Sequence, residues 1–346
     1  MLKHLRIKII GRRAIKTALA VFLTSWICQL LGWPPVFAVI TAIVTIEPTV
    51  ASSIKKGIVR FPASAIGSLY AVLFIYLFGN SPITYTLAAF FTILTCFRLH
   101  LHAGLLVATL TSVAMIEVIH DNLFYSFLIR LGTTTIGILV STIVNMFILP
   151  PNYTKQISSD FNQMLKKTGD AVELITTVLM KADKVQSAKI KDVDEKFFQL
   201  KRALDKTEQL LQFQEDEAKY HRLQDDTRKL FEMEQKNVAK LRLVHYHIGN
   251  LMNIPNRTIC WSPKECEDII NMVHSLADFM KFPDHYKAKA YRNQVKRLRD
   301  EFWDIKPNEA NEHTIFSTEL IILYELLSIY NLVEEIIQTT NEMEKN

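Results

Sequence analysis

The sequence predicts an all-α protein: a six-helix transmembrane bundle built as a 3+3 inverted repeat over residues 1–150, followed by a cytoplasmic helical bundle over 151–346. Three observations predict it. Apolar stretches recur at 14–32, 35–54, 58–78, 83–99, 101–119 and 123–149, each near the roughly 20 residues that cross hydrocarbon. Charge is divided between the halves: residues 1–150 hold 11 Lys and Arg but only three acids, Glu47, Glu117 and Asp121. Residues 151–346 hold the other 29 basic and 32 acidic residues, which leaves the halves at net +8 and −3. Finally, the first half matches itself at a shift of 70 residues. An apolar, acid-poor half joined to a charge-rich half implies two solvents, lipid and water. The positive balance reads as topology signal and anion attraction, not as a nucleic-acid footprint.

The chain opens on Lys3, Arg6, Lys8, Arg12, Arg13 and Lys16 ahead of an apolar run. The run leads into Trp33-Pro34-Pro35 and a second apolar run, with no small-residue cleavage site. Residues 2–12 therefore read as an interfacial basic helix and the run as an uncleaved first span. Gly32-Trp33-Pro34-Pro35 separates spans one and two, Gly79-Asn80-Ser81-Pro82 three and four, and His120-Asp121-Asn122 five and six. Those connectors carry no Lys or Arg. The opposite side has the basic N-terminus, Lys55-Lys56, Arg60, Arg98 and Lys155. By the positive-inside rule this alternation puts both termini in the cytoplasm of a multi-pass cell-membrane protein.

In the 70-residue shift, Glu47 falls on Glu117, Arg60 on Arg130, Gly67 on Gly137, Ser64 on Thr134, Ala38 on Ala108 and Thr41 on Thr111. The unit is three helices, and an odd number places the second copy upside down, an architecture that many transporters share. The same residues carry a resemblance. Pro34-Pro35-x-x-Ala38, Thr41-Ala42, Glu47-Pro48-Thr49, Lys56-Gly57-x-x-Arg60 and Ser64-x-x-Gly67 resemble the bacterial aromatic acid exporter family and its fusaric-acid-resistance relatives. The tail after Pro150-Pro151 resembles the helical C-terminal domain attached to one branch. The resemblance implies a six-span exporter of small aromatic carboxylates. Ala63 departs from the family's pattern, where Gly often precedes the Ser or Thr, and a looser helix contact is expected there.

Arg60, Arg98 and Arg130 are the basic residues in or beside the apolar region past the Lys55-Lys56 pair. Guanidinium is always charged and grips carboxylates bidentately, so these three are candidates to line an organic-anion pathway. Arg60 and Arg98 can equally snorkel to headgroups, whereas Arg130 lies about seven residues inside the sixth stretch. Glu47 and Glu117 are candidates for gating or coupling: each could lock the Arg 13 residues on, titrate with transport, or sit exposed at a helix end. Gly67 and Gly137 are candidates for close helix packing.

Residues 152–346 read as helices at 154–183, 191–253, 262–281, 284–304 and 312–343, with prolines at the boundaries. Leu204, Leu211, Leu223, Leu230 and Leu241 form a possible seam on the long second helix. Phe316, Leu320, Leu323, Leu327, Tyr330 and Ile337 form a stripe on the last. Cys28, Cys96, Cys260 and Cys266 make no disulfide framework or zinc pattern. His100 with His102 lacks a third ligand, and His245 and His247 point different ways on a helix; no metal or cofactor is expected. No phosphate loop, nucleophile elbow or HExxH occurs, so an enzyme is not expected. The expected function is efflux of small organic anions by a homo-oligomer in the lipid bilayer. The alternative is a membrane-anchored sensor or assembly protein acting through the helical domain.

Overall fold

The computed structural model describes residues 11–118, 122–180, 187–254, 261–283, 287–304 and 317–344. Those residues form twelve α-helices and no strand. The chain divides into two compact units, Met1–Asn152 with Phe213–Arg222, and Tyr153–Gln212 with Leu223–Asn346.

The first unit contains α1 (Arg12–Leu30), α2 (Val36–Thr45), α3 (Val50–Phe78), α4 (Pro82–Arg98), α5 (His102–Val118) and α6 (Leu123–Phe147). Local chemistry sets the breaks. Gly32 and Gly79 take positive φ after α1 and α3, a conformation that costs an L side chain. Ser81 caps α4 with Pro82 in its first turn, and the Asn122 side chain accepts from the Tyr125 N–H to start α6. Residues 2–10 of the expected interfacial helix and the His120-Asp121 part of the fifth connector lie outside the described residues, while Gly11 and Arg12 begin α1.

One boundary differs from the sequence reading. The second stretch does not run from 35 to 54; it breaks at Ile46-Glu47-Pro48-Thr49, and 50–57 belong to α3. Pro48 lacks an N–H and biases Glu47 away from the helical region. Thr49 then caps a new helix by accepting from the Ser52 N–H at 3.1 Å. The Lys55-Lys56 pair marked a charged helix end, not a loop.

Packing follows the 70-residue repeat. α1 packs on α2 and α6, and α4 on α5 and α3; α2 packs on α6, and α5 on α3. Exchanging α1 with α4, α2 with α5 and α3 with α6 leaves these principal contacts unchanged. The contacts are also reciprocal residue by residue. A Cβ on Gly67 would lie 2.6 Å from the Ala108 carbonyl oxygen, and one on Gly137 would lie 2.5 Å from that of Ala38. Gly67 and Gly137 are repeat mates, and so are Ala38 and Ala108. Such reciprocity is the signature of a two-fold relation. Ser64 Oγ and its own mate, Thr134 Oγ1, meet at 3.2 Å, which places them on the pseudo-axis. The looser contact expected at Ala63 is not found. Ala63 is fully buried, and its Cβ would come within 2.5 Å of a Cβ on Gly104; the missing carbon has moved to the facing helix.

The outside of these helices is apolar. Phe22, Trp26, Leu30, Phe90, Phe97, Leu106, Leu110, Leu139 and Phe147 are all exposed, while Thr41, Ser64, Thr111, Thr133, Thr134 and Ser141 are buried. α3 and α6 are long and apolar enough to cross a membrane, and α2, α4 and α5 are shorter apolar helices.

The second unit contains α7 (Thr154–Met180), most of α8 (Ser187–Ala218), then α9 (Asp225–Met252), α10 (Pro263–Lys281), α11 (Ala288–Asp304) and α12 (Thr318–Glu344). α7 packs on α9 and α10, α9 on α12, and α11 on α12. The single helix expected over 191–253 is instead two, parted at 219–224. Asp225 and Asp226 start α9, where carboxylates suit the positive helix end. Leu204, Leu211 and Leu241 are buried but lie on two helices, so they form no continuous seam. On α12, Leu323, Tyr330 and Ile337 are buried together with Ile322, Leu326, Ile329, Val333 and Ile336. Phe316 lies outside the described residues. Tyr330 Oη donates to the Met272 carbonyl at 2.6 Å, and Tyr291 Oη donates to the Tyr330 carbonyl. These bonds satisfy two large buried phenols.

The reciprocal glycines make a test. Gly67→Ala and Gly137→Ala each push a methyl onto a backbone carbonyl and should cost about 1–3 kcal/mol, read as a lowered melting temperature in detergent. Gly11→Ala, whose Cβ would meet nothing within 4 Å, should stay near wild type. Unchanged melting of both core variants would contradict the close approach.

Candidate functional site

The repeat brings two of the three candidate arginines inside the first unit, each on one of the pair of long helices. Arg60 on α3 is 7% exposed and Arg130 on α6 is 1% exposed. Their surroundings differ although the repeat equates them. Arg60 Nη2 bonds Glu47 Oε1 at 2.9 Å, and its Nε donates to the Ala103 carbonyl at 3.3 Å. Lys56 Nζ holds the other Glu47 oxygen at 2.9 Å. Glu47 thus sits between two cations at the α2–α3 break.

Arg130 has no carboxylate among the described residues. Its Nη1 donates to Thr134 Oγ1 at 2.6 Å, and its Cζ lies 4.6 Å from the centroid of the Phe37 ring. Thr134 Oγ1 donates in turn to the Arg130 carbonyl at 2.8 Å and meets Ser64 Oγ on the pseudo-axis. Nη2 of Arg130 is buried without a hydrogen-bond partner, as is Nη1 of Arg60. A buried N–H of a charged group left unbonded is costly, so Arg130 offers a donor to any anion that reaches it. The ring of Phe37 offsets part of the desolvation by a cation–π contact.

The remaining candidates lie apart. Glu117 is exposed and accepts from Tyr85 Oη, so it makes no bond to Arg130. Arg98 is exposed in the last turn of α4. His100 and His102 meet edge to face with centroids 5.8 Å apart. His245 stacks on Phe197 at 4.1 Å, while His247 Nδ1 meets Glu325 at 2.5 Å. No group of three His, Cys, Asp or Glu side chains among the described residues could hold a metal.

A buried network that the sequence reading missed closes the break between α2 and α3. Asn145 of α6, fully buried, donates from Nδ2 to Ser53 Oγ at 2.8 Å, to the Glu47 carbonyl at 3.1 Å and to the Thr49 carbonyl at 3.3 Å. Lys16 of α1, 5% exposed, donates to Asn145 Oδ1 at 2.8 Å. Ser53 Oγ donates to the Thr45 carbonyl at 2.9 Å and accepts from the Glu47 N–H at 3.2 Å. The only hint in sequence was one Asn near the end of an apolar helix. Phe37 was also missed, because a Phe in an apolar run gives no signal of its own.

The two glutamates separate in a stability test. Glu47→Ala strands Arg60 and should cost on the order of 3 kcal/mol, as breaking a buried pair does. Glu117→Ala at the exposed site should stay within about 1 kcal/mol of wild type. Thermal unfolding of the two variants checks this, and equal effects would refute the distinction.

Residues 8–148 match the family described as aromatic acid exporter family member 1. A UPF0421 protein of Oceanobacillus iheyensis is 45% identical over 97% of this chain and 98% of its own length. One from Bacillus cereus is 43% identical over 97% and 95%, and one from Staphylococcus haemolyticus 40% over 94% and 98%. The family match ends just after α6, while the relatives run on through the rest of the chain. The chain belongs to the UPF0421 proteins, and its residues 8–148 match the aromatic acid exporter family.

Proposed function

We propose that the protein is a multi-pass transporter of the cell membrane that moves small aromatic carboxylates, or related organic anions, out of the cell past Arg130. One observation carries this reading: a guanidinium that is 1% exposed, has no carboxylate partner among the described residues, and keeps one nitrogen unbonded. Placing a charge there costs several kcal/mol, and a purely structural arginine would have its Glu, as Arg60 has. A carboxylate arriving at Nη2 completes the bonding and neutralises the charge. Glu47, Lys56 and Arg60 together add a further net positive charge, so the interior favours an anion.

The membrane reading draws on family membership, on the apolar exterior and on α3 and α6. α2 has ten residues and rises about 15 Å, half of a hydrocarbon core of about 30 Å. Non-helical backbone at such a depth is tolerated where protein bonds it; Asn145 and Ser53 supply those bonds at residues 46–49. With three helices per repeat, the two-fold relation makes the copies inverted across the membrane, with both termini inside. Six helices leave little wall for a pathway, which favours a homo-oligomer. Cysteines at Asn80 and Asn122 should then label from outside. Lys55, exposed where Ser53 is buried, should label only after permeabilisation; its labelling from outside would reverse the topology.

Flux of labelled aromatic acids into liposomes tests the reading. Arg130→Ala should lose at least about tenfold, equivalent to about 1.4 kcal/mol, while expression and melting stay near wild type. Arg130→Lys should recover part, since ammonium keeps the charge and loses the planar fork. Since Glu117 makes no bond to Arg130, Glu117→Gln should not rescue Arg130→Gln. Wild-type flux in Arg130→Ala would remove the residue from the pathway.

A further inference from the structure

The turn after α8 belongs to the first unit, as part of Phe213–Arg222. There it meets the start of α3 and the end of α6. Glu217 is 1% exposed. Its Oε1 accepts from the Val50 N–H at 2.7 Å, the first amide of α3. Its Oε2 lies 3.1 Å from His221 Nδ1, and His221 Nε2 lies 2.9 Å from the carbonyl oxygen of Met146, in the last turn of α6.

Proton counting constrains this chain of contacts. A carbonyl oxygen only accepts, so Nε2 must carry a hydrogen. A neutral imidazole then has a lone pair on Nδ1, which would face a carboxylate that also only accepts. Both contacts are hydrogen bonds only if one more proton lies between Nδ1 and Oε2. Helix electrostatics favour the ionised form of the pair. Glu217 sits at the positive N-terminal end of α3, and His221 at the negative C-terminal end of α6. The geometry points to a proton-dependent clamp in which Glu217 and His221 tie the start of α3 to the end of α6. The inference is independent of what the protein transports.

Other charges surround the pair. From α1, Lys16 bonds the Asn145 side chain and, at 3.2 Å, the Asn145 carbonyl, one residue before Met146. From the α2–α3 break comes Glu47, already held by Lys56 and Arg60, with Lys55 beyond it on α3. On the turn itself Asp216 pairs with Lys219 at 2.8 Å, with Glu215 and Arg222 at either side. Glu217 is the acid that bonds the ring.

The sign follows from the bonds. A histidine that gains two acceptors when protonated holds them at low pH and loses one as pH rises. Whichever tautomer remains, either the Glu217 or the Met146 contact becomes two facing acceptors. α3 and α6 carry Arg60 and Arg130, so release of the clamp acts on the helices that hold both buried guanidinium groups.

Hydrogen–deuterium exchange on the full chain in nanodiscs tests this, following residues 213–224 and correcting for the intrinsic pH dependence. Exchange in the wild type should be about tenfold faster at about pH 8.5 than at about pH 6, because raising the pH removes the proton between Nδ1 and Oε2. Glu217→Gln supplies a permanent N–H toward Nδ1 and keeps an acceptor for Val50, so it should exchange slowly at both values. His221→Ala should exchange fast at both. Corrected wild-type exchange that does not change with pH would overturn the clamp, as would a Glu217→Gln protein that quickens like wild type. Those two proteins decide the matter even if His221→Ala does not fold.

Discussion

The first unit depends on one constraint, the backbone-level approach of α3 to α5 and of α6 to α2 across the Ser64–Thr134 contact. In an apolar solvent helices gain little from burying apolar surface and associate through close packing and interhelical hydrogen bonds. Gly67 and Gly137 supply the first and the paired hydroxyls the second. With four helices drawn onto one pseudo-axis, the long side chains one turn away are carried inward. Arg130 stands four residues before Thr134, and Arg60 four before Ser64. Their burial follows from the glycine contacts as much as from their own bonding.

Within that symmetric frame the charges are asymmetric. Glu47 sits on unwound backbone at Pro48, close enough for Lys56 and Arg60 to share it. Its mate Glu117 lies in the last turn of α5, exposed and bonded by Tyr85. Position 118, where Pro48 would repeat, is Val, and α5 runs to it, so Glu117 stays on the helix and is not turned inward. Among the described residues one guanidinium is therefore neutralised and the other is not. A two-fold repeat with one compensated and one uncompensated arginine gives its interior a polarity that identical halves would lack.

Much of this was legible in sequence because membrane helices expose few kinds of signal. A Gly, an Arg or a Glu in an apolar run is rare enough that the 70-residue register could be found from a handful of positions. The glycine contacts follow from that register. The break at Pro48 was misplaced because the lysines at 55 and 56 looked like a loop, while Thr49 could already cap a helix through them. The helix over 191–253 was drawn too long because its turn at 219–224 contains neither Pro nor Gly and is stabilised by the bonds of Glu217 and His221 to Val50 and Met146. The Asn145 network, the Phe37–Arg130 contact and the Glu217–His221 pair were hidden for a related reason. The Asn145 network, the Phe37–Arg130 contact and the bonds that tie Glu217 and His221 to α3 and α6 join residues between 75 and 167 positions apart, and none repeats in the second half of the first unit.

In the function proposed, Arg130 is a cation kept for an anionic ligand. Binding measures it most directly, without the ambiguity of flux. Benzoate and benzamide have nearly the same shape, and only benzoate carries a charge. Titrated against the detergent-solubilised protein, benzoate should raise the melting temperature in a saturable way, benzamide should not, and Arg130→Ala should abolish the difference. Equal stabilisation by both compounds, or a benzoate effect that survives Arg130→Ala, would contradict the account.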